Sequence, residues 1–291
     1  MKPDYQGDSW AIYLADCIEI MNGLPEGIVD LAVFSPPFSD LFVYSDSERD
    51  MGNCGSHDEF MQHYDYFTRA LLRVLKPGRV ACVHCSDLPA RKSKDGFIGL
   101  HDFGGDLIRA HRDAGWIYHA RCTIWKDPVI EMQRTKALGL LYKQLKKDSS
   151  RSRVGMPDYM LFFRKDGDNP DPVTHEPEDL PVSMWQELAS PVWMEVNQTK
   201  VLNGRQAKGE QDERHICPLQ LDVIERCITL YSNPGDLVLD PFNGIGSTGY
   251  QAIKMGRRYL GVELKPEYAR QAARFLQQAE GQELLPLEVA A

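Results

Sequence analysis

The tetrapeptide Ser35-Pro36-Pro37-Phe38 combines residue types that could hold a planar base by its amino group. It follows the apolar run 30–34, a pattern typical of a buried parallel strand that ends in a turn. Ligands of open α/β sheets bind at the carboxyl ends of strands, which is where this turn would lie. Two consecutive prolines fix the backbone φ angle and remove two amide donors, so the turn presents carbonyl oxygens beside a hydroxyl and an aromatic ring.

A glycine-rich segment near the other end of the chain could bind a cationic ligand. The strand-like run 236–240 leads into Pro241-Phe242-Asn243-Gly244-Ile245-Gly246-Ser247-Thr248-Gly249. Glycines let the backbone approach a ligand closely, and a following helix would add unpaired amide donors. The G-x-G-x-x-G spacing alone is a weak signal for a dinucleotide, and Asp240 lies where it would repel a pyrophosphate. A carboxylate there suits the ammonium and sulfonium of S-adenosylmethionine, and Glu263, at the end of the next strand-like run, could chelate two ribose hydroxyls.

In this order the two motifs resemble the permuted β class of amino-directed DNA methyltransferases, the N4-cytosine/N6-adenine family. That family places the catalytic tetrapeptide near the N-terminus, the cofactor loop near the C-terminus and the target-recognition residues between them. The resemblance covers nearly the whole chain. It also rests on Tyr13-Leu14-Ala15-Asp16-Cys17, Leu75-Lys76-Pro77-Gly78, Pro157-Asp158-Tyr159-Met160-Leu161-Phe162-Phe163-Arg164 and His215-Ile216-Cys217-Pro218-Leu219-Gln220.

The resemblance implies methyl transfer from S-adenosylmethionine to the exocyclic amine of a base flipped out of double-stranded DNA. It makes Ser35, Pro36, Pro37 and Phe38 catalytic, with the Ser35 side chain and the Pro36 carbonyl accepting the two amino hydrogens and Phe38 stacking on the base. The cofactor-binding residues that it implies are Asp16, Cys17, Asp240, Phe242, Asn243, Gly244, Gly246, Ser247, Thr248 and Glu263. Among them, Asp16 and the Cys17 backbone would meet the adenine, and Ser247 or Thr248 would cap the following helix.

The target base stays open between adenine N6 and cytosine N4. In this family a serine in the first catalytic position is commoner among cytosine N4 enzymes, yet both bases offer an amino group beside a ring-nitrogen acceptor. Methylation at cytosine carbon-5 is disfavoured, because those enzymes carry a thiolate in a Pro-Cys pair and this chain has only the reverse, Cys217-Pro218.

Two other functions remain as alternatives. An RNA or protein-glutamine methyltransferase would usually carry Asn in the first catalytic position and place the glycine loop before it. A catalytically silent DNA-binding regulator would not need intact glycines and acceptors. An NAD-dependent oxidoreductase would explain only the glycine pattern and would leave Ser-Pro-Pro-Phe without a role.

Alternating patterns predict a doubly wound, mostly parallel α/β sheet of the Rossmann-like methyltransferase type, circularly permuted and carrying a target-recognition insertion. Strands are predicted near 11–14, 30–35, 79–85, 116–125, 158–164, 236–240 and 258–263, and helices near 16–23, 57–75, 101–114, 130–146, 218–231, 247–255 and 266–279. The strands near 116–125 and 158–164 are expected to form an antiparallel pair. The predicted regions are a catalytic half (1–165, with a basic helical insertion about 127–156), a target-recognition region (166–213) and a cofactor-binding half (214–291).

The composition predicts a soluble cytoplasmic protein. The first ten residues are polar, and no apolar stretch approaches the roughly 20 residues of a membrane span. The seven cysteines are odd in number and scattered, which favours reduced thiols. Cys82 and Cys85 have zinc spacing, but within a strand they would point to opposite faces, and the eight histidines show no ligand grouping, so no metal is expected.

The net charge of −9 is unusual for a nucleic-acid binder, but its distribution is uneven. The stretch 126–153 carries eight basic residues against three acidic ones, which predicts a local DNA-binding face. The candidate DNA contacts are Arg134, Lys136, Lys143, Lys146, Lys147, Arg151, Arg153, Asn197, Gln198 and Arg205, with Trp185, Trp193 and Asn203 as further candidates. The resemblance implies a homodimer, and it leaves open whether a restriction endonuclease accompanies the protein.

Overall fold

A computed structural model of the protein describes residues 2–39, 50–90, 95–135, 138–202 and 218–283. Within these ranges the strands are β1 (Tyr5–Gln6), β2 (Trp10–Leu14), β3 (Val29–Phe34), β4 (Leu75–Ser86), β5 (Leu88–Ala90), β6 (Gly99–His101), β7 (Ile117–Ile124), β8 (Asp158–Arg164), β9 (Val192–Trp193), β10 (Leu237–Asp240) and β11 (Arg258–Glu263).

The helices in the same ranges are α1 (Cys17–Gly23), α2 (His57–Val74), α3 (Phe103–Asp113), α4 (Pro128–Thr135), α5 (Tyr142–Lys147), α6 (Val182–Leu188), α7 (Leu221–Tyr231), α8 (Ser247–Lys254) and α9 (Pro266–Glu283). Short 3₁₀ turns occur at Met51–Asn53, Leu138–Leu140 and Ser149–Arg151. Among the helices described, none has both the length and the apolar character needed to cross a membrane.

The main sheet of the described residues has the strand order β1-β2-β11-β10-β3-β4-β8-β7-β9. Strands β2, β11, β10, β3 and β4 run parallel, and β8 turns antiparallel to both β4 and β7. The predicted doubly wound, mostly parallel sheet is therefore confirmed, and so is the antiparallel pair. The late strand β10 lies directly beside the early strand β3, as a permuted order requires.

Both faces of the sheet are covered, which is why β3 is buried along its whole length. Leu31 and Val33 belong to one core layer, and Ala32 and Phe34 belong to the other. The same alternation separates Cys82 from Cys85, which lie in opposite layers as their spacing within a strand predicts. All cysteines within the described ranges are free, and no group of three or more metal-ligating side chains comes together there.

Two predictions about the middle of the chain are wrong. The single basic helix near 130–146 is instead two helices, α4 and α5, separated by residues that include a 3₁₀ turn. Gly139 lies in that turn, and a glycine inside a helix costs about 1 kcal/mol relative to alanine. Trp193 is 1% exposed and lies in the core, where its indole N–H donates to the Leu188 carbonyl, so its side chain is a packing group and not a surface for DNA.

An ionic cluster at the amino ends of β3 and β4 ties the sheet together. The Arg79 guanidinium, 1% exposed, lies 3.3 Å from the Asp30 carboxylate and 2.9 Å from that of Asp236, which immediately precedes β10. Asp30 is also 2.7 Å from the Lys76 ammonium and accepts a hydrogen bond from the Leu237 amide at 2.8 Å. The strands that carry the two motifs at their carboxyl ends are thus anchored together at their amino ends.

Replacing Arg79 by methionine should destabilise the protein by about 3–5 kcal/mol, because the buried Asp30 and the half-buried Asp236 lose their shared partner. Urea unfolding measures this. The matched control is Arg69→Met, which removes an exposed helical ion pair with Asp65 and should leave the unfolding midpoint unchanged. Equal losses from the two variants would contradict a structural role for the buried cluster.

Candidate active site

The two sequence motifs lie side by side because their strands do. Strands β10 and β3 pair in parallel, with Val238 opposite Leu31 and Leu239 opposite Ala32. The turns that follow them therefore leave the sheet at the same edge. The Thr248 hydroxyl donates to the Val33 carbonyl at 3.3 Å, which joins the start of α8 to the strand that carries the tetrapeptide.

The Ser35-Pro36-Pro37-Phe38 turn is partly buried and is supported from behind. The Phe38 ring meets the Phe103 ring edge-on at 6.0 Å between centroids and lies 6.2 Å from the His84 ring. The next residue, Ser39, has a φ of 53°, a left-handed value that is uncommon for a residue with a side chain.

A hydrogen-bond chain holds Ser39 in this conformation. Its hydroxyl lies 3.0 Å from His57 Nδ1, and His57 Nε2 lies 2.9 Å from the Asp106 carboxylate. These two partners belong to α2 and α3, so the chain fastens the end of the tetrapeptide to both helices.

A second chain of polar contacts begins at Ser35 itself. The Ser35 hydroxyl lies 3.0 Å from His84 Nδ1, and His84 Nε2 lies 3.2 Å from the Asp158 carboxylate, off the alignment of a good hydrogen bond. The other Asp158 oxygen accepts from the Lys126 ammonium. Burial would raise the pKa of Asp158, but His84 and Lys126 outweigh it and hold that pKa well below its usual range.

Sequence reasoning missed His84 and Asp158 as site residues and counted Lys126 only as part of a basic stretch. The positions of His84 and Asp158 follow from strand alternation. His84 shares a face of β4 with Cys82, and Asp158 shares a face of β8 with Met160, whose side chain lies in the same core layer as that of Cys82. The signal available in the sequence was His84 itself, a polar residue on a buried face near the carboxyl end of a predicted strand.

The glycine loop has the close approach that its residues predict, but its helix cap differs. Gly246 is the N-cap of α8 at a φ of 87°, and no side chain caps the helix. Ser247 and Thr248 are its first helical residues, so the prediction that one of them caps it is wrong. A Cβ atom at Gly246 would lie 2.9 Å from the side chains of Ala272 and Leu276 on α9. Only glycine fits both the φ angle and the space.

Asn243 supports the loop from below. Its side chain is 3% exposed, accepts a hydrogen bond from the Tyr259 hydroxyl at 2.8 Å and donates to the Gly244 carbonyl at 2.9 Å. These internal bonds hold the loop backbone in place, and the assignment of Asn243 to the cofactor site stays a prediction. Phe242 packs against Phe34 and Phe67, with ring centroids 5.8 and 4.9 Å away.

Two carboxylates flank this loop, the buried Asp240 and the half-buried Glu263. Asp240 accepts from the Phe242 amide at 2.9 Å, and Glu263 accepts from the amides of Gly244 at 2.7 Å and Lys265 at 2.9 Å. Burial raises the pKa of each to about 7, although these hydrogen bonds partly oppose the rise. An acidic cradle of this kind favours a ligand that brings positive charge.

The segment around Asp16 joins the same edge of the sheet. Strands β2 and β11 pair with Leu14 opposite Glu263, and the Ala15 amide donates to the Glu263 carbonyl at 3.0 Å. Asp16 caps α1 by accepting from the Glu19 amide at 2.9 Å. Cys17 is buried, and this burial raises the pKa of its thiol, so the thiol packs in the core as a neutral group.

The candidate DNA contacts differ in their exposure and in their partners. The side chains of Lys143, Lys146, Lys147 and Arg151 are exposed around α5. Arg153 lies 3.5 Å from the buried Glu131 carboxylate, and its assignment as a DNA contact stays a prediction. Trp185 is 52% exposed, Asn197 is exposed and Gln198 is half-buried. Lys136, Asn203 and Arg205, with the Arg134 side chain, lie outside the described residues.

A doubly wound sheet with an acidic glycine loop beside a Ser-Pro-Pro-Phe turn defines a Rossmann-like methyltransferase fold. The family model described as DNA methylase, N6_N4_Mtase, matches residues 29–274. This chain therefore belongs to that DNA methylase family, and the resemblance predicted from its motifs is confirmed.

Three type II methyltransferases are similar to this chain in sequence, two over most of its length and one over a short segment. The type II methyltransferase M.PvuII of Proteus hauseri is 23% identical over 311 residues, which cover 94% of this chain and 86% of M.PvuII. M.BamHI of Bacillus amyloliquefaciens is 23% identical over 286 residues, 91% of this chain and 56% of that protein. M1.MboII of Moraxella bovis is 48% identical over 66 residues, 23% of this chain and 25% of that protein. The chain thus spans a quarter to about half of the length of the last two.

Solved structures agree on the fold. TTHA0409 from Thermus thermophilus, complexed with S-adenosyl-L-methionine, superposes with a TM-score of 0.70 at 24% identity and covers 93% of this chain and 94% of its own. The cytosine-N4-specific PvuII DNA methyltransferase gives a TM-score of 0.65 at 20% identity and covers 97% and 94%.

Gly246→Ala should destabilise the protein more than Gly256→Ala, by about 1–3 kcal/mol. Both glycines have positive φ, 87° and 73°, but a Cβ at Gly256 meets nothing within 4 Å. The difference in urea unfolding between the variants therefore isolates the clash with α9. Equal unfolding midpoints would mean that α9 does not constrain the loop.

Proposed function

We propose that this protein is an S-adenosylmethionine-dependent DNA methyltransferase that methylates the exocyclic amine of a flipped-out base, either adenine N6 or cytosine N4. One observation carries the proposal. The Ser35 turn and the glycine loop leave adjacent parallel strands at one edge of the sheet, and the Thr248–Val33 hydrogen bond links them. A base and a methyl donor held there would be neighbours.

The residues present suit the cofactor. When bound, S-adenosylmethionine supplies a methyl group already activated by its sulfonium. Asp240 and Glu263 would balance the positive charge and hold the ribose, and the tightly packed Gly246 would let the loop backbone approach the ligand. Phe242, Gly244, Ser247, Thr248, Asp16 and Cys17 complete the proposed cofactor site.

The protein's remaining task is to aim a weak nucleophile. The amino nitrogen of adenine or cytosine shares its lone pair with the ring. Acceptors at the Ser35 hydroxyl and the Pro36 carbonyl would hold both amino hydrogens and turn the lone pair toward the methyl group. Phe38 would stack on the extruded base, an interaction worth about 1–3 kcal/mol.

The exposed cations around α5 favour DNA as the substrate. Lys143, Lys146, Lys147 and Arg151 could neutralise phosphates, while Trp185, Asn197 and Gln198 could contact bases or the backbone. The proposal includes a homodimer in the cytoplasm. A cognate restriction endonuclease is a further hypothesis that the type II relatives suggest.

The direct test is to incubate the protein with unmethylated genomic DNA and S-adenosylmethionine, digest the DNA and analyse its nucleosides by mass spectrometry. N6-methyladenine or N4-methylcytosine supports the proposal and identifies the target base. Cofactor binding without either product would reject DNA as the substrate, and RNA would then be tested in the same way.

Ser35→Ala should abolish methyl transfer and retain cofactor binding, because the hydroxyl contacts the base and not the methyl donor. Phe38→Ala should behave similarly through lost stacking. Transfer is measured with labelled cofactor, and binding by calorimetry. Ser9→Ala is the matched control. Ser9 immediately precedes β2, so it lies at the amino ends of the strands, away from the proposed site, and its hydroxyl donates to Glu280. Loss of cofactor binding equal to loss of transfer would show that the pocket is misplaced.

Cofactor binding should weaken as the pH falls below about 7. In the free protein Asp240 and Glu263 take up protons near that pH, because burial raises the pKa of each to about 7. A cationic ligand favours the ionised carboxylates, so each proton must leave on binding. The Kd should then rise by about tenfold per pH unit for each group below its pKa. Calorimetric titration from about pH 6 to about pH 8 measures this.

The raised pKa values of Asp240 and Glu263 affect the stability of the free protein in the opposite direction: stability falls as the pH rises, whereas cofactor binding strengthens. Both pKa values are raised on folding, so these groups stabilise the native state fully below about pH 4 and lose that contribution as the pH rises to about 7. Asp240→Asn should remove part of the pH dependence of binding. A Kd that stays constant across this range would contradict the assignment of the two carboxylates to the cofactor site.

A further inference from the structure

The contacts that start at Ser35 cross four neighbouring strands. Ser35 follows β3, His84 is in β4, Asp158 begins β8 and Lys126 follows β7, and these strands are consecutive in the sheet. Their side chains meet in that order, through the Ser35–His84 contact of 3.0 Å, the His84–Asp158 contact of 3.2 Å and the Asp158–Lys126 hydrogen bond. His84 and Asp158 are 8% and 4% exposed, so water has little part in orienting them.

The donor and the acceptor of each contact can be assigned in turn, starting from Lys126. A lysine ammonium can only donate, so its partner Asp158 is an ionised acceptor. The second Asp158 oxygen faces His84 Nε2, which has no other partner among the described residues, and a carboxylate there places the proton on Nε2. In a neutral imidazole the remaining nitrogen, Nδ1, is then an acceptor.

Ser35 stands at the near end of this sequence. With Nδ1 as the acceptor, the Ser35 hydroxyl must donate its hydrogen to His84. Both lone pairs of the oxygen remain, and the hydroxyl has no second hydrogen to present to a ligand.

We propose that His84, Asp158 and Lys126 form a polar chain of fixed direction that makes Ser35 a hydrogen-bond acceptor toward the base. This inference rests on the proposed function. His84 and Asp158 are positioning residues in it, because they act through Ser35. An amino group offers hydrogens, and a serine hydroxyl turned the other way would meet them with its own hydrogen. The polar chain prevents the Ser35 hydroxyl hydrogen from pointing at the base even before the base binds. Polar groups that are oriented in advance in this way accelerate a reaction.

The neighbouring Ser39–His57–Asp106 chain gives a useful contrast. It has the same residue types in the same order, but its histidine side chain is 39% exposed, against 10% for His84. Its serine is at the end of the turn and not at its start. The Ser39 chain can hold the turn in place, whereas the Ser35 chain also determines that Ser35 offers the base a hydrogen-bond acceptor.

The tautomer of His84 tests the proposal without any substrate. Nitrogen NMR of the protein labelled with ¹⁵N-histidine distinguishes a protonated from a bare ring nitrogen, and the His84 signals are those lost in His84→Asn. We expect a proton on Nε2 and none on Nδ1. In Asp158→Asn the new amide can donate to Nε2, which should move the proton to Nδ1. A proton on Nδ1 in the wild-type protein would overturn the proposal.

Single-turnover methylation of DNA tests the consequence. His84→Ala should slow transfer on the order of 100-fold, as the loss of a preorganised polar group does elsewhere. His84→Asn can place its amide oxygen near the former Nδ1 position and should stay within about fivefold of the wild type. Cofactor Kd should be unchanged in both variants, and thermal unfolding confirms that each is folded.

The outcomes separate this proposal from the proposed function. Wild-type rates for His84→Ala, or an asparagine variant as slow as the alanine variant, would overturn the positioning role while leaving DNA methylation intact. A wild-type protein that methylates no DNA would refute the proposed function, and the NMR measurement would still decide the direction of the chain.

Discussion

The parallel pairing of β3 with β10 is the constraint on which the rest of the site depends. The two strands are more than 200 residues apart in the chain, as shown by the hydrogen bond between Asp30 and Leu237, which spans 207 positions. Their alignment brings a rigid proline turn and a glycine loop to one edge of the sheet. Neither motif alone carries both the amino-group acceptors and the acidic loop. If another strand lay between β3 and β10, the Ser35 turn would no longer lie beside the glycine loop. The pairing of these two strands therefore determines whether a base and a methyl donor can be held next to each other.

Buried charge has different consequences at the two ends of these strands. At the amino ends, Arg79 neutralises Asp30 and Asp236, and the cluster contributes to stability. At the carboxyl ends, the partners of Asp240 and Glu263 in the described part of the chain carry no positive charge, so burial is not compensated and the pKa of each rises to about 7. Uncompensated carboxylates destabilise the free protein when ionised, and that free energy becomes available to a cationic ligand. Asp158 lies between these cases, since Lys126 keeps it charged and the Asp158 carboxylate in turn fixes the proton of His84 on the nitrogen that faces away from Ser35.

The sequence predicts those parts of the fold and site that depend on contiguous residues. The strand patterns, the tetrapeptide, the glycine loop and the helix that starts after Asp16 are all read within short segments, and the structure has the strands and this helix where they were expected. His84, Asp158 and Lys126 were missed because each lies on a different strand or just after one, and only the register between strands brings them together. Trp193 was misjudged because an indole in a poorly patterned segment gives no sign that a two-residue strand will carry it into the core. The helix break around Gly139 follows from the low helix propensity of glycine, and the uncapped start of α8 reflects the packing of Gly246 against α9.

The central claim is that one pocket holds the base by Ser35 and Pro36 and the methyl donor by the glycine loop. A crystal structure of the protein with demethylated cofactor and a duplex containing its target base tests this most directly. We expect an extruded base whose amino nitrogen lies within hydrogen-bond distance of the Ser35 hydroxyl and the Pro36 carbonyl, facing the cofactor sulfur. A base held by other side chains, or a cofactor bound away from Asp240 and Glu263, would contradict it.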